Sequence, residues 1–251
     1  MENNYQNYDI VDRIQDNKFL LTNAFTSRDF SGTDTKELFE KNLETRPPDW
    51  YYRHNPVTYT INSLGYRADE FEKIDWANSV VVFGCSNVYG VGLNDNETMP
   101  YYLSKILRTP VVNMGVGGSS ITYALHNSII LRDGYPTPKA VVHMWTGYDR
   151  TVYYNKNRLD SLGAWNVESY EYMREWAKDS SHAKSHALFA SKSSKWMWRD
   201  TKYFEGSYFG ETSRLLNCYC VNVIDYARDF GHPGKETQYQ TALKVAEGLQ
   251  L

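Results

Sequence analysis

The sequence predicts an α/β fold: a three-layer sandwich in which helices cover both faces of a mostly parallel, doubly wound sheet. Short, continuous apolar runs, typical of strands buried on both faces, recur through the middle of the chain. After the first two of these runs come a glycine-bearing loop and then a helix with an apolar stripe. Strand, loop and helix repeated in that order indicate parallel strands joined by crossover helices.

The predicted strands of this sheet are short and rich in valine. In chain order they are 79–84, 110–114, 140–145 and 218–224. A weak alternation of apolar and polar residues also predicts a short strand at 57–61, entering a turn at 62–65.

The predicted helices have apolar residues at helical spacing. They cover 34–44, 98–107, 119–133, 168–178, 185–199 and 235–249. Thr98 caps the second helix with Pro100 in its first turn, and Ser119 or Ser120 caps the third. The residues expected to face the core in three of them are Met99, Leu103, Ile106 and Leu107, then Ile121, Ala124, Leu125 and Ile129, then Tyr239, Ala242, Leu243 and Ala246.

The chain of 251 residues fits one sizeable α/β domain, predicted at 56–251, preceded by an N-terminal extension at 1–55. Its first residues are polar and lack the basic and then apolar segments of a signal peptide. No run of about 18 apolar residues predicts a membrane span. We therefore expect a cytoplasmic protein, unless a larger assembly carries it elsewhere.

Composition narrows the range of partners. A net charge of -3 disfavours nucleic acid. Three cysteines form no disulfide framework, and Cys218 and Cys220 are interpreted as small buried residues rather than a metal or redox pair. The 21 tyrosines and 7 tryptophans suit stacking on sugar rings, but suit a tyrosine-rich core equally.

Reactive residues follow the predicted strands, where ligands bind in open α/β sheets. Ser86 comes directly after the first core strand, and a glycine-rich turn at 115–118 follows the second. Asp229 and His232 lie just before the last helix. Together they offer a hydroxyl nucleophile, backbone N–H donors, and an acid and a base, which acyl transfer needs.

In order and spacing these segments resemble the SGNH (GDSL-type) hydrolases. Their first motif is matched by Gly84-Cys85-Ser86 with Gly90, their second by Asn113 and Gly115, and their last by Asp229 and His232. The stretch 62–67 also resembles a segment that precedes the first motif in one bacterial branch. The resemblance covers about residues 57–249 and implies a flavodoxin-like sandwich.

The resemblance implies that Ser86 is the nucleophile, His232 its general base, and Asp229 the group that orients the imidazole. The oxyanion hole would use the backbone N–H groups of Ser86 and Gly115, where a side chain would crowd the acyl group. Cys85 stands where the family has Asp, which raises the question of which residue attacks; the motif register favours Ser86.

The third family motif, Gly-x-Asn-Asp, is altered. In the simplest register Tyr148 replaces the Asn, and Asp149 keeps the Asp. Losing one oxyanion donor typically costs about 10²–10³ in rate. The hydroxyl of Tyr148 or Thr146 is a candidate substitute. Three outcomes stay open: a rebuilt hole, slow catalysis, or none.

Other patterns are weaker. His182 and His186 have the spacing of metal ligands on a helix, but no third ligand follows, so no metal is predicted. No phosphate-binding or dinucleotide motif is complete, so no cofactor is predicted. The basic, aromatic stretch 192–202 is interpreted as a solvated helix face with buried tryptophans.

The first functional hypothesis is a serine esterase that hydrolyses small O-acyl esters. The resemblance implies O-acyl, often O-acetyl, groups on carbohydrate or lipid, and the aromatic content favours an acylated glycan. The second is a non-catalytic binding or structural module, in a homo-oligomer or in a larger assembly such as a virus particle. The third is an acyltransferase that uses the same triad. The role of residues 152–217 stays open.

Overall fold

The computed structural model describes Phe19 and residues 28–155, 158–162 and 181–251. The helix predicted at 168–178 lies outside the described residues. The described strands are β1 (Val80–Gly84), β2 (Val111–Gly115), β3 (Ala140–Trp145), β4 (Thr151–Asn155), β5 (Arg158–Leu162), β6 (Lys202–Ser207) and β7 (Tyr219–Cys220). The described helices are α1 (Lys36–Thr45), α2 (Tyr51–His54), α3 (Ser86–Tyr89), α4 (Met99–Leu107), α5 (Ile121–Gly134), α6 (Ser181–Met197), α7 (Gly210–Leu216) and α8 (Lys235–Leu249).

Five strands form one parallel sheet in the order β2-β1-β3-β6-β7. Numbered by their appearance in this sheet, that is the order 2-1-3-4-5 of doubly wound, flavodoxin-like folds. Strands β4 and β5 form a separate antiparallel pair. The predicted fold class is confirmed.

The core lies on both faces of the sheet. Along β1 and β3, successive side chains point to opposite faces: Val81 and Phe83 pack with residues of α5 and α6, whereas Val80 and Val82 pack with α4 and α8. All four valine and phenylalanine side chains are fully buried. Two helical layers therefore enclose the sheet, as the continuous apolar runs predicted.

The caps predicted for two helices are confirmed, whereas α6 starts at Ser181 rather than at 185. The hydroxyl of Thr98 accepts from the N–H of Tyr101, with Pro100 in the first turn of α4. Of the two serines considered for α5, Ser120 is the cap, accepting from the N–H of Tyr123. Short polar side chains at these positions satisfy N–H groups that the helix cannot.

Several predicted details are wrong. Residues 57–61 form no strand; Val57 and Tyr59 are buried in an extended segment outside any described ladder. Only Tyr219–Cys220 of the strand predicted at 218–224 pairs with the sheet, and Cys220 is exposed rather than buried. Strand β6 was not predicted, because it contains a glutamate that is buried only through polar partners.

Two helices are rotated relative to the predicted inward stripes. Ile129 is 40% exposed, while Ile130 and Leu131 are buried. In α8, Tyr239 and Leu243 are exposed; the inward residues are Gln238, Thr241, Ala242, Val245 and Leu249. Polar residues can face the core there because their groups are hydrogen-bonded.

The two tryptophans at the end of α6 were both predicted to be buried. Trp198, which follows the helix, is buried, but Trp196, within the helix, is 62% exposed. Among the described residues, none of the helices is long and apolar enough to cross a bilayer.

Candidate active site

The carboxyl ends of β1, β2 and β3 bring the first three predicted motifs to one edge of the sheet. Gly84, the last residue of β1, is level with Gly115 on one side and Met144 on the other. Ser86 therefore follows β1 between the end of β2 and Thr146, which follows β3. Strands β1 and β3 flank the point where the strand order reverses, which is where such sheets bind ligands.

Ser86 is the first residue of α3 and is half-buried, whereas the side chain of Cys85 is buried, at 1% exposed. A substrate can thus approach Ser86 but not the Cys85 thiol. Within the described part of the chain, neither the Ser86 N–H nor its hydroxyl makes a hydrogen bond; its carbonyl accepts from Gly90 and Val91. The predicted nucleophile, the Ser86 hydroxyl, and one candidate donor for an anion, the Ser86 N–H, are thus both free of hydrogen bonds to the described residues.

Asn113 joins β2 to α3. Its Nδ2 donates to the carbonyl of Val88 at 3.0 Å, and its Oδ1 accepts from the N–H of Gly115 at 2.9 Å. A Cβ on Gly115 would lie 2.4 Å from the backbone N of Tyr89. Residue 115 must therefore be glycine because α3 approaches it closely. The reason expected from the sequence is different, namely that a side chain would crowd the acyl group. The Gly115 N–H, a predicted oxyanion donor, is already bonded to Asn113.

Asp229 and His232 form a closely coupled pair. His232 Nδ1 lies 2.6 Å from Asp229 Oδ2, while Asp229 Oδ1 accepts from the N–H groups of Gly231 and His232, both at 3.1 Å. A carboxylate only accepts, so Nδ1 carries the proton and Nε2 is left as the acceptor. This is the tautomer that a general base for a serine requires.

The charge state of Asp229 follows from these contacts. Burial, the largest single influence, would raise the pKa of this carboxyl, and the hydrogen bond and charge of His232 act against it. The Thr33 hydroxyl and the Gly231 N–H act in the same direction, and the pKa of Asp229 falls below its usual value. Asp229 is therefore ionised at neutral pH, as its role in the pair needs.

Thr33 contacts the Asp229–His232 pair, a contact that the sequence did not reveal. Its hydroxyl donates to Asp229 Oδ2 at 2.6 Å and lies 3.4 Å from His232 Nδ1. Thr33 and Asp229 are 196 positions apart, and neither spacing nor periodicity connects them.

The segments that carry Ser86 and His232 are fastened together. The N–H of Arg228 donates to the carbonyl of Gly92 at 3.1 Å. Gln238, fully buried on α8, donates from Nε2 to the carbonyl of Asn87 and accepts at Oε1 from the N–H of Met99. This glutamine also escaped sequence reasoning, since a polar residue in a helix is most often solvated.

In the described chain no hydrogen bond joins Ser86 Oγ to His232 Nε2. Such bonds are often long in free enzymes and tighten only when substrate binds. The structure therefore orders the Asp229–His232 pair and bonds its loop to the segment after Ser86, whereas the contact between Ser86 and His232 stays a prediction.

In the third motif, Tyr148 is hydrogen-bonded to α7 and Thr146 is buried. The N–H of Tyr148 donates to Thr212 Oγ1 at 3.0 Å, and its hydroxyl donates to Glu211 Oε2 at 3.3 Å. Thr146 Oγ1 is buried and has no hydrogen-bond partner among the described residues. Both hydroxyls remain predicted oxyanion donors, but that of Tyr148 is bonded to Glu211 and that of Thr146 is buried.

The histidine pair on α6 has other contacts. His186 Nε2 lies 2.8 Å from the hydroxyl of Thr122. Among the described residues, no group of three or more His, Cys, Asp or Glu side chains is arranged to hold a metal ion.

No protein-family model matches the chain, and no curated protein is significantly similar to it. Among solved structures it is similar to a GDSL-like lipase from Bacteroides uniformis, at 15% identity over 69% of this chain and 96% of that one, with a TM-score of 0.41. It is also similar to the psychrotrophic esterase EstA from Pseudoalteromonas sp., at 12% identity over 69% and 97%, with a TM-score of 0.41. A Corynascus thermopiles carbohydrate esterase family 2 enzyme with a carbohydrate-binding domain shares 12% identity over 69% and 67%, with a TM-score of 0.42. Likeness of this degree carries no inference about residues or substrate, and the fold class rests on the sheet order itself.

Proposed function

We propose that this chain is an ester hydrolase of the SGNH type that works through an acyl-enzyme formed on Ser86. The observation that carries the proposal is the Asp229–His232 pair, because its carboxylate is fixed by four donors and its imidazole is held in the basic tautomer. The loop that bears the pair is bonded to the segment that follows Ser86.

In the first step Ser86 Oγ attacks the ester carbonyl carbon while His232 Nε2 takes the hydroxyl proton. The resulting tetrahedral oxyanion collapses, and His232 returns the proton to the leaving alcohol. Water then attacks the acyl-enzyme while His232 takes its proton, and the second tetrahedral intermediate breaks its bond to Ser86 Oγ, releasing the carboxylic acid as His232 returns the proton to Oγ. Asp229 stays ionised throughout and stabilises the imidazolium.

The oxyanion is stabilised first by the Ser86 N–H, which makes no hydrogen bond to a described residue and belongs to a half-buried rather than a buried residue. The Gly115 N–H can contribute only if it leaves Asn113 Oδ1, or is shared with it. We expect slower acyl transfer than in enzymes with an Asn in the third motif, since each donor contributes about 10²–10³ in rate.

The proposed substrate is a small O-acyl, in particular O-acetyl, ester on a glycan. The support is an exposed aromatic side chain on the loop that bears His232. Tyr226 is 57% exposed and pairs by backbone with Pro233, the neighbour of His232. Such a ring can stack on a sugar while an attached acyl group reaches the serine.

A fluorophosphonate probe tests the proposal, because it reacts with serines activated by a base. We expect the wild type to be labelled, Ser86→Ala to be unlabelled, and His232→Ala to be labelled roughly 10²–10⁴-fold more slowly. Ser63→Ala, which removes an exposed hydroxyl bonded to Glu70, is the matched control and should label normally. A wild type that neither reacts with the probe nor hydrolyses p-nitrophenyl acetate would overturn the proposal.

The altered third motif favours a second candidate, a non-catalytic module in a homo-oligomer or a larger assembly. The Tyr148 hydroxyl there is bonded to Glu211 rather than free. A defined oligomer or partner complex that is indifferent to His232→Ala, together with a failed labelling experiment, would support it. An acyltransferase would use the same triad, and product analysis with alcohol acceptors separates it from a hydrolase.

A further inference from the structure

Thr33 completes the hydrogen bonding of Asp229. Asp229 Oδ1 accepts two backbone N–H groups, and Oδ2 accepts from His232 Nδ1 and from the Thr33 hydroxyl, each at 2.6 Å. The 3.4 Å separation of Thr33 Oγ1 from His232 Nδ1 follows from their sharing Oδ2. Without Thr33, one position on the carboxylate oxygen that holds the imidazole would be empty.

A tight turn presents Thr33. Ser31 and Asp34 exchange two backbone hydrogen bonds of 3.1 Å, which places Gly32 and Thr33 at the tip. Gly32 has a φ of +60°, a conformation that favours glycine. The hydroxyl is therefore held on a short, closed turn rather than on a free strand end.

A buried ion pair fixes this turn to the catalytic loop. Arg228 donates from Nε to Asp34 Oδ1 at 2.8 Å and from a terminal nitrogen to Asp34 Oδ2 at 2.7 Å. The two side chains are 3% and 1% exposed. Asp34 follows Thr33 and Arg228 precedes Asp229, so the pair sets the distance between the neighbouring hydroxyl and carboxylate. Tyr59 donates to Asp34 Oδ2, and Asn42, from the N-terminal region before residue 56, donates to the Arg228 carbonyl.

The same region also holds a strained residue of the catalytic loop. Phe230, between Asp229 and His232, has a φ of +55°, which is unusual for a bulky side chain. Its ring stacks on Trp50 with centroids 5.7 Å apart, and the guanidinium of Arg46 lies 3.7 Å from its centre. These contacts help to keep the loop in the conformation in which Asp229 meets His232.

We infer that Thr33 is a positioning residue of the active site, and that the turn 31–34 belongs to the catalytic machinery. The inference rests on the proposed function. The Thr33 hydroxyl orients the Asp229 carboxylate, and through it the His232 imidazole, by a hydrogen bond supplied from the opposite end of the chain.

Thr33→Val and Thr33→Ser separate the hydroxyl from the shape of the side chain. We expect Thr33→Val to lower the rate of fluorophosphonate labelling roughly tenfold, because a hydrogen bond to a charged group is lost. Thr33→Ser should restore the rate to within about twofold of wild type. With p-nitrophenyl acetate, kcat should fall while KM stays unchanged, since Thr33 does not touch substrate. Thr45→Val, which removes a hydroxyl bonded only to the Lys41 carbonyl, is the control and should behave as wild type.

A second readout does not depend on turnover. The low-field proton resonance of His232 Nδ1–H reports its bond to Asp229, and it should shift in Thr33→Val and return in Thr33→Ser. If the wild type is not labelled, the proposed function fails, and the resonance still decides whether Thr33 orders the pair. The inference is overturned if Thr33→Val matches wild type in rate and resonance, or if Thr33→Ser is as impaired as Thr33→Val. Circular dichroism checks folding, and Thr33→Ala replaces the valine variant if that variant unfolds.

Discussion

Thr146, the residue after β3, has a hydroxyl that is either an oxyanion donor or only a buried polar group without a partner. Its hydroxyl is buried and makes no hydrogen bond to any described residue. A buried polar group without a partner costs about 1–3 kcal/mol, and such groups in native structures often mark a functional role. An oxyanion donor, however, must be reachable by the substrate oxygen, and this one is covered by protein.

Thr146→Val distinguishes these roles. Valine keeps the shape and removes the unpaired oxygen, so we expect the free energy of unfolding to rise by about 1 kcal/mol. The rate of fluorophosphonate labelling should stay within about twofold of wild type, since the buried hydroxyl does not reach the oxyanion. Urea denaturation and the labelling assay measure the two effects. A rate that falls about 10²-fold would instead place Thr146 in the oxyanion hole.

The sequence could point to some candidate site residues because their signal is local. Ser86 directly follows an apolar strand, and Asp229 and His232 are three residues apart before a helix. Thr33 and the Asp34–Arg228 pair could not be predicted, because their partners are 196 and 194 positions away. Contacts at such separations depend on the folded chain and leave no periodicity or spacing to read.

At the scale of elements, strands buried on both faces were predictable and helix orientation was less so. Strand β3 has the predicted bounds, because a continuous apolar run allows little choice of register. The stripe of α8 was misjudged by one position, because Gln238 and Thr241 are polar and yet face inward through hydrogen bonds. The position of α3 depends on Gly115. The sequence shows that residue 115 is glycine, but not that the backbone of α3 lies against it.

Gly115→Ala tests the packing of α3 on β2. The added Cβ would lie 2.4 Å from Tyr89 N and 2.8 Å from Val88 C, both backbone atoms, so α3 must move. We expect a loss of about 1–3 kcal/mol in the free energy of unfolding. Labelling should slow by more than about tenfold, because small misplacements of a nucleophile are costly.

Gly117→Ala is the matched control, since a Cβ there meets nothing within 4 Å. It should change the free energy of unfolding by less than about 1 kcal/mol and leave labelling unchanged. Equal effects of the two substitutions would contradict the role assigned to the contact between Gly115 and α3.

At the scale of the whole molecule, the sheet core contains a titratable residue, His143, that the proposed chemistry does not use. His143 is fully buried in β3, stacked between Phe83 and Trp145 with ring centres 5.1 and 4.5 Å away. Neither ring nitrogen has a hydrogen-bond partner among the described residues. Burial lowers the pKa of His143 from 6.5 to about 3, so the folded protein holds this ring neutral.

His143→Phe should therefore change how the stability of the whole molecule depends on pH. Below pH 6.5 the unfolded chain binds a proton at His143 and the folded protein does not until about pH 3. Across that window His143 thus destabilises the wild type as pH falls, by up to about 1.4 kcal/mol per pH unit. Asp229 acts differently: because its pKa is lowered on folding, it stabilises above its unfolded value, and that contribution is lost as pH falls through the folded one. Both proteins share the Asp229 effect, so it cancels in the comparison.

We expect His143→Phe to be more stable than wild type by about 1–2 kcal/mol at pH 7.5, because it removes two unpaired buried nitrogens and keeps the ring stack. The difference should widen as the pH is lowered to 5. Urea denaturation at pH 7.5, 6.5 and 5 measures it. A parallel loss of stability in the two proteins between pH 6.5 and 5 would contradict this prediction. The folded protein would then accommodate a protonated His143, and the burial of this ring would not be the source of the protein's acid sensitivity.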